Sequence, residues 1–280
     1  MEEKITSTEE LGYYLAPEVL SQIKAGREQV LKSNLDRVFC IDGREGLGGK
    51  STLAFQLAYA YDKTFNIKRI VFTSKDFEEC LRSASKGQAI VWDEAFVGLS
   101  SKGSLSKENK KLVRLLMECR QLGLFIFIVL PTFFYLEKYV AIFRSQALFH
   151  CYSSKKSINR RYFKIYNYTN KKLLYIYGKN LLSYYKPKLP HTYRFYAKFP
   201  PTINRKEYND KKLNAFRQND VETPIETRIL QQRNLLLYLC CKKGNISQAE
   251  LCRHLTQAGF GLTKGRMSQI IGSVPQKFSV

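Results

Sequence analysis

Between Lys138 and Lys206 the chain contains no aspartate or glutamate. The same stretch holds sixteen Lys/Arg and sixteen Tyr/Phe, and it supplies +16 of the formal +22 carried by all 280 residues. An excess of this size suits a polyanionic partner, either nucleic acid or an acidic membrane surface. Other absences narrow the reading further. The seven cysteines are odd in number and show neither C-x-x-C nor Cys/His metal spacing. They read as buried thiols of a reducing cytoplasm rather than as a disulfide framework or a zinc site. The N-terminus, MEEKITSTEE, is acidic and polar, which excludes a secretory signal. The longest apolar run, Leu122 to Leu136, is interrupted by Pro131 and falls short of the roughly 20 residues a membrane span needs. Internal repeats and low-complexity tracts are missing as well. A hydrophobic content of 44% with 25% charged residues is ordinary for a globular chain and excludes wholesale disorder.

What is present has a regular alternation. Pro17 to Asn34 carries apolar residues at helical spacing. Short apolar runs at Arg37–Asp42, Arg69–Thr73, Gln88–Trp92, Leu124–Leu130 and Ala147–Tyr152 read as strands. Helices are expected at Ser51–Tyr61, Phe77–Ser85, Lys107–Leu122 and Leu136–Arg144. Continuous rather than alternating apolar strands, separated by helices, predict an α/β fold with a mainly parallel sheet covered on both faces. Beyond it, Arg161–Tyr168 and Leu173–Tyr177 read as antiparallel strands about a turn at Thr169-Asn170, with Tyr193–Phe199 as a further candidate. Asn204 to Asp220 is polar and partly helical and reads as a linker. Three short helices, 228–243, 247–258 and 263–272, close the chain with the spacing of a helix-turn-helix or winged-helix module. The expected organisation is an N-terminal helical segment (1–35), an α/β core (36–152), a basic aromatic β-rich extension (153–203), a linker (204–225) and a small helical domain (226–280).

The strongest chemical signal is the strand, glycine loop, Lys-Ser and helix from Val38 to Leu53. Phosphates need backbone N–H donors that can approach closely, which glycine permits, and a helix N-terminus whose dipole favours anions. A lysine must reach the outer phosphates and a hydroxyl must hold Mg²⁺. Gly46, Leu47, Gly48, Gly49, Lys50, Ser51 and Thr52 are the candidate nucleotide-binding residues, for ATP with Mg²⁺. The usual loop has a glycine where Arg44 stands, and Gly43 lies one position too early. Either the loop is a residue longer, or Gly46 and Gly48 tighten it. The strand Ala89–Trp92 then delivers Asp93 and Glu94 together. Asp93, with Ser51, is the candidate metal ligand, and Glu94 the candidate activator of an attacking water, which distinguishes hydrolysis from phosphoryl transfer. Thr132, after the Leu124–Leu130 strand, is either a γ-phosphate sensor or a structural turn. Arg120 and Arg144 are either arginine fingers reaching a neighbouring subunit or plain surface and sheet-edge cations.

The loop at Gly46–Thr52, the strand ending Asp93-Glu94 and the segment Cys119-Arg120-Gln121-Leu122-Gly123-Leu124 leading into its strand resemble the additional-strand P-loop ATPases. These include FtsK/HerA-type DNA translocases, viral genome-packaging ATPases and zonula occludens toxin-like phage assembly proteins. The resemblance spans roughly 37–152. Many members carry Gln or Asn after the fourth strand, where this chain has Pro131-Thr132. The resemblance implies a homo-oligomer, usually a hexameric ring, that threads DNA through a basic channel.

Interleaved cations and aromatics such as Arg160-Arg161-Tyr162-Phe163-Lys164 can neutralise phosphates and stack on bases, so 138–206 is a candidate DNA surface. Alternating aromatics in strands are also ordinary core residues. The helix 263–272 opens on Thr263, Lys264 and Arg266, side chains of the kind a recognition helix uses on DNA; a small bundle docking on protein is the competing reading. The combined expectation is an ATP-hydrolysing, DNA-binding protein of a phage, virus or plasmid, acting in the cytoplasm (the host's if viral) in DNA translocation or packaging. The alternatives are a nucleotide-switched DNA-binding regulator or replication/partition factor, and an assembly factor acting on protein.

Overall fold

The computed structural model describes residues 8–33, 35–43, 49–95, 107–154, 157–219, 225–242, 244 and 246–272. The glycine-loop candidates Gly46, Leu47 and Gly48 lie outside these residues. Seven strands among the described residues form one sheet: β1 (Arg37–Gly43), β2 (Ile70–Val71), β3 (Ala89–Trp92), β4 (Phe125–Val129), β5 (Ala147–Ser154), β6 (Ser157–Tyr166) and β7 (Tyr193–Phe195). Their order is β2-β3-β4-β1-β5-β6-β7. The first five are mutually parallel, and β6 and β7 are added antiparallel. The strand β4 thus lies between β1 and β3, so the two strands expected to feed the phosphate loop and the acidic pair are separated by an inserted one.

Burial on both faces explains why these strands read as unbroken apolar runs. From β1, Phe39 and Ile41 enter one core, together with Val91, Phe127, Phe149 and Phe163. Val38 and Cys40 enter the other, with Ile90, Trp92, Ile126 and Ile128. The first core is covered by helices α1 (Pro17–Lys32) and α2 (Lys50–Tyr61). The helix α2 is apolar nearly all round, and Leu53, Ala54, Phe55, Leu57 and Ala58 are all fully buried, as expected of a helix enclosed by protein. The second core is covered by α3 (Ser74–Ser83), α4 (Lys107–Glu118) and α5 (Tyr168–Gly178). The result is a three-layer α/β/α arrangement with a mostly parallel sheet.

Two stretches differ most from their sequence reading. Tyr168–Gly178 is the helix α5, not a strand. The Asn167 side chain accepts from Asn170 N at 2.9 Å, starting a helix where the sequence suggested a hairpin turn. The buried positions Lys171, Leu174, Tyr175 and Gly178 follow helical spacing, which the alternation in Leu174-Tyr175-Ile176-Tyr177 masks. Lys171 is fully buried and its Nζ donates to Ala141 O and Ile142 O, both at 2.7 Å. It thereby caps the π-helical segment Val140–Arg144, which stands within the stretch expected as an α-helix. The second difference is α6 (Arg205–Asn219), which occupies most of the supposed linker and buries Tyr208 and Ala215 against the first core.

The chain divides into two compact units, 1–215 and 216–280. In the second, α7 (Ile225–Lys242), α8 (Gln248–Gln257) and α9 (Lys264–Gly272) enclose a small core of Leu237, Cys252, Met267 and Ile270. The Ser247 hydroxyl caps α8 by accepting from Glu250 N at 3.2 Å. Thr263 does the same for α9, accepting from Arg266 N at 3.3 Å. With Met267 and Ile270 turned inward, Lys264, Arg266, Ser268 and Gln269 are left exposed.

Candidate nucleotide site

The parallel strands end together on one edge. Gly43 pairs with Cys151 and Ile41 with Val129, while Trp92 pairs with Ile128. Gly43 closes β1 at φ +147°, and a Cβ there would fall 2.2 Å from Cys151 O. No other residue fits without moving β5. Gly43 is therefore a sheet-packing glycine, which accounts for its apparently early position in the loop. Gly49 ends the loop at φ +70° as the N-cap of α2, a left-handed conformation that favours glycine. The first turn of α2 then presents Lys50, whose Nζ donates to Gly43 O at 3.0 Å, and Ser51. Thr52, also expected at the nucleotide, is buried in that turn.

The second carboxylate-bearing element meets the first here. On β3, Val91 faces the α2 side of the sheet, and strand alternation carries Asp93 to that same side. The Ser51 hydroxyl donates to Asp93 Oδ1 at 3.1 Å. Asp93 is 1% exposed, and burial pushes its carboxyl above the ordinary range, opposed by a hydrogen bond from Tyr208. Tyr208 donates its hydroxyl to Asp93 Oδ2 at 2.6 Å, and burial and then Asp93 push the phenol well up. Glu94 adopts φ +60°, the left-handed region that a non-glycine residue occupies only at a cost. Its half-exposed carboxylate pairs with Lys212 Nζ at 2.7 Å. Among the described residues no group of three or more His, Cys, Asp or Glu gathers. A divalent ion here would be held by Ser51 and Asp93 with phosphate and water oxygens, the donor set Mg²⁺ prefers.

Sequence reasoning missed three features of this edge. Tyr208 and Lys212 stand in the supposed linker, and no motif signals them. Arg161 belongs to the basic block, but β6 brings it to Gly49, where a Cβ would lie 2.7 Å from Arg161 Nη1. Its Nε is buried without a hydrogen-bond partner among the described residues, and desolvation, then Arg205, lower its pKa. On the opposite face of the sheet, buried Asp42 accepts from Phe133 N at 2.8 Å, from His150 Nδ1 at 2.8 Å and from the Tyr184 hydroxyl. Thr132, the sensor candidate, lies within this network, its hydroxyl 3.0 Å from that of Tyr184. The His150 ring stacks on Tyr184 with centroids 3.9 Å apart.

Arg120 and Arg144 sit at the other end of the strands, around a cleft of about 440 Å³ that Asp36, Arg37 and Gln146 also line. Arg144 is buried, pairs with Asp36 and donates to Leu116 O at 2.5 Å. That engagement corrects its reading as an arginine finger: the guanidinium is committed to holding β1 and β5 to α4. Arg120 is exposed and keeps its candidacy.

The strand order and the Ser51–Asp93 pair give a three-layer α/β/α fold in which the ends of parallel strands and the first turn of α2 share one edge. Solved structures similar to part of the chain include the N-terminal domain of zonular occludens toxin from Neisseria meningitidis. It is 19% identical, with 48% of this chain and 84% of that one covered and a TM-score of 0.36. Another is the genome packaging NTPase B204 from Sulfolobus turreted icosahedral virus 2 in complex with AMPPCP, at 12% identity, 49% and 94% coverage and a TM-score of 0.36. No family model matches the chain, and no curated protein does.

Proposed function

We propose that the chain is a Mg²⁺-dependent ATPase of a mobile element that works on DNA as a translocation or packaging motor. The observation that carries this reading is the convergence of Lys50, Ser51, Asp93 and Glu94 on one sheet edge from two separate strand ends. Lys50 would swing from Gly43 O to the β- and γ-phosphates. Ser51 and Asp93 would hold the metal, which when bound neutralises phosphate charge and orients the terminal phosphoryl group. Glu94 would accept a hydrogen bond from the attacking water and align it. Arg161, beside Gly49 and without an acidic partner among the described residues, would add a same-chain cation close to the bound phosphates.

The DNA component is supported by the acid-free stretch 138–206 and by the exposed Thr263, Lys264 and Arg266 on α9. Within the stretch, Phe149, Phe163, Tyr166, Tyr175 and Phe195 are core, whereas Tyr177, Tyr185 and Tyr196 are exposed. Lys188 lies over Tyr185 and Arg194 over Tyr196. The exposed pairs, not the block as a whole, are the ones available for stacking on bases. Oligomerisation, with a hexameric ring as the expected form, would let Arg120 approach a neighbour's nucleotide. No helix among the described residues is long and apolar enough to cross a membrane.

The deciding experiment is ATP turnover with and without double-stranded DNA, alongside particle mass. Wild type should hydrolyse ATP faster with DNA, Lys50→Ala and Glu94→Gln should abolish turnover, and both should still bind DNA. A wild-type chain that hydrolyses no ATP in either condition removes the motor reading and leaves a nucleotide-switched DNA-binding regulator.

A further inference from the structure

We propose that Tyr208 and Lys212, one turn apart on α6, are positioning residues that compete with Mg²⁺ and water for Asp93 and Glu94. The proposal rests on the nucleotide-hydrolysing reading above. One helix addresses both carboxylates: the Tyr208 hydroxyl occupies Asp93 Oδ2 at 2.6 Å, and Lys212 Nζ occupies Glu94 Oε1 at 2.7 Å. Spacing four residues apart on a helix puts both side chains on the same face. The next cation, Lys211, donates to Ile67 O at 2.9 Å and Ile70 O at 2.6 Å, pinning α6 beside β2.

The two contacts differ in mobility. Tyr208 is anchored by its ring, which meets Phe55 edge-on at 5.1 Å and Phe199 at 5.7 Å and lies 6.0 Å from Phe72. Its hydroxyl cannot leave Asp93 without disturbing that packing. With Ser51 on Oδ1 and Tyr208 on Oδ2, both Asp93 oxygens accept a hydrogen bond. A metal must share the carboxylate with one donor or displace it. Lys212 is different: the Lys212–Glu94 pair is 38% and 58% exposed, so it can open readily. While it is closed, one of the two oxygens through which Glu94 could accept a hydrogen bond from water is taken. Lys212 therefore sets how often Glu94 is free to align the water, and Tyr208 sets how much Mg²⁺ is needed to engage Asp93.

The test is steady-state hydrolysis of ATP by the full chain across a Mg²⁺ titration, with nucleotide affinity and thermal melting measured in parallel. Lys212→Gln should raise kcat about two- to fivefold, the scale of a half-exposed ion pair, while KM stays within about twofold. Lys212→Arg keeps the charge and should behave as wild type. Tyr208→Phe keeps the ring and removes only the hydroxyl, and should lower the half-saturating Mg²⁺ about threefold or more. Unchanged or reduced kcat in Lys212→Gln at wild-type nucleotide affinity overturns the role of Lys212. An unchanged or increased Mg²⁺ requirement in Tyr208→Phe overturns that of Tyr208. In both cases a Glu94-dependent wild-type turnover leaves the nucleotide-hydrolysing reading standing. If wild type and all variants bind no nucleotide, both readings fall together.

Discussion

Ser51 and Asp93, 42 positions apart in sequence, meet through a hydrogen bond of 3.1 Å from hydroxyl to carboxylate. This contact joins the start of α2 to the end of β3, and under the proposed function its two oxygens are the ones that would hold the divalent ion. Replacing Ser51 by Ala should therefore raise the Mg²⁺ concentration needed for half-maximal ATP turnover by about tenfold, the value of one charge-assisted contact. Nucleotide binding measured in EDTA should be unchanged. Loss of metal-free binding as well would mean that Ser51 shapes the loop rather than the metal site.

Much of this architecture is legible in the residues because burial on two faces leaves unbroken apolar runs. Ile126 and Phe127 of β4 enter opposite cores, so the strand reads as apolar at every position. Lys50, Ser51, Asp93 and Glu94 are legible because each stands at a strand-to-helix turn or strand end of fixed chemistry. The companions of these residues are not. Tyr208 reaches Asp93 from 115 positions away, and nothing in the polar composition of Asn204–Asp220 distinguishes a packed helix from a connector. In the sequence Arg161 is one cation among many, since the pairing Tyr162↔Arg194 and Arg161↔Phe195 that turns it toward Gly49 is a property of register. The helix at Tyr168–Gly178 reads as a strand because aromatic residues alternate there, while its cap depends on the single side chain Asn167.

The two arginines of the cleft should separate cleanly. Arg144→Met breaks a buried pair and leaves Asp36 inside with no counter-charge, at a cost of about 3–5 kcal/mol. Urea unfolding of the purified variant measures it. Arg120→Ala removes an exposed side chain and should change stability by less than about 0.5 kcal/mol. If Arg120 acts on a neighbour's nucleotide, this variant should lose turnover while keeping nucleotide affinity and particle mass. A loss of stability equal to that of Arg144→Met would place both residues in the same structural role.

Gly43 gives a test of the loop's unusual glycine spacing. Ala at this position would put its Cβ 2.2 Å from Cys151 O at a φ of +147°, so β1 and β5 must part or the backbone must rotate. The expected loss is at least about 2 kcal/mol from strain and displaced packing. Nucleotide affinity should fall with it, because the Gly43 carbonyl that receives Lys50 moves. A Gly43→Ala variant that melts like wild type would show that β1 does not end as described.

Lys171 makes a pH prediction whose sign can be fixed. Burial lowers its pKa from the ordinary lysine value to about 8, with the neighbouring Cys40 opposing. Below that value the folded chain carries a buried ammonium that prefers water. Between about 8 and the unfolded value of 10.5 the unfolded chain binds more protons, so stability rises with pH across this window. Burial likewise raises the Cys40 thiol to about 12, which lowers stability as pH rises above the ordinary thiol range, so wild type alone would mix opposing slopes. The difference between wild type and Lys171→Met isolates the lysine. It should move in favour of wild type by roughly 1 kcal/mol per pH unit from 8 to 10 in urea unfolding. A pH-independent difference would mean that Lys171 reaches solvent when charged.

The exposed face of α9 separates a DNA reader from a docking bundle. Met267 and Ile270 hold the helix to its own core, while Lys264 and Arg266 project outward, so removing the two cations leaves the fold intact. If this face contacts DNA, Lys264→Ala with Arg266→Ala should weaken duplex binding and reduce the slope of log K against log salt by about two, near one per phosphate contact. Particle mass and melting should not change. Retained affinity with an unchanged salt slope would assign DNA contact to the 138–206 surface alone. A fall in particle mass would instead identify α9 as a protein-docking surface, in which case the basic stretch on the first unit carries the nucleic-acid role without it.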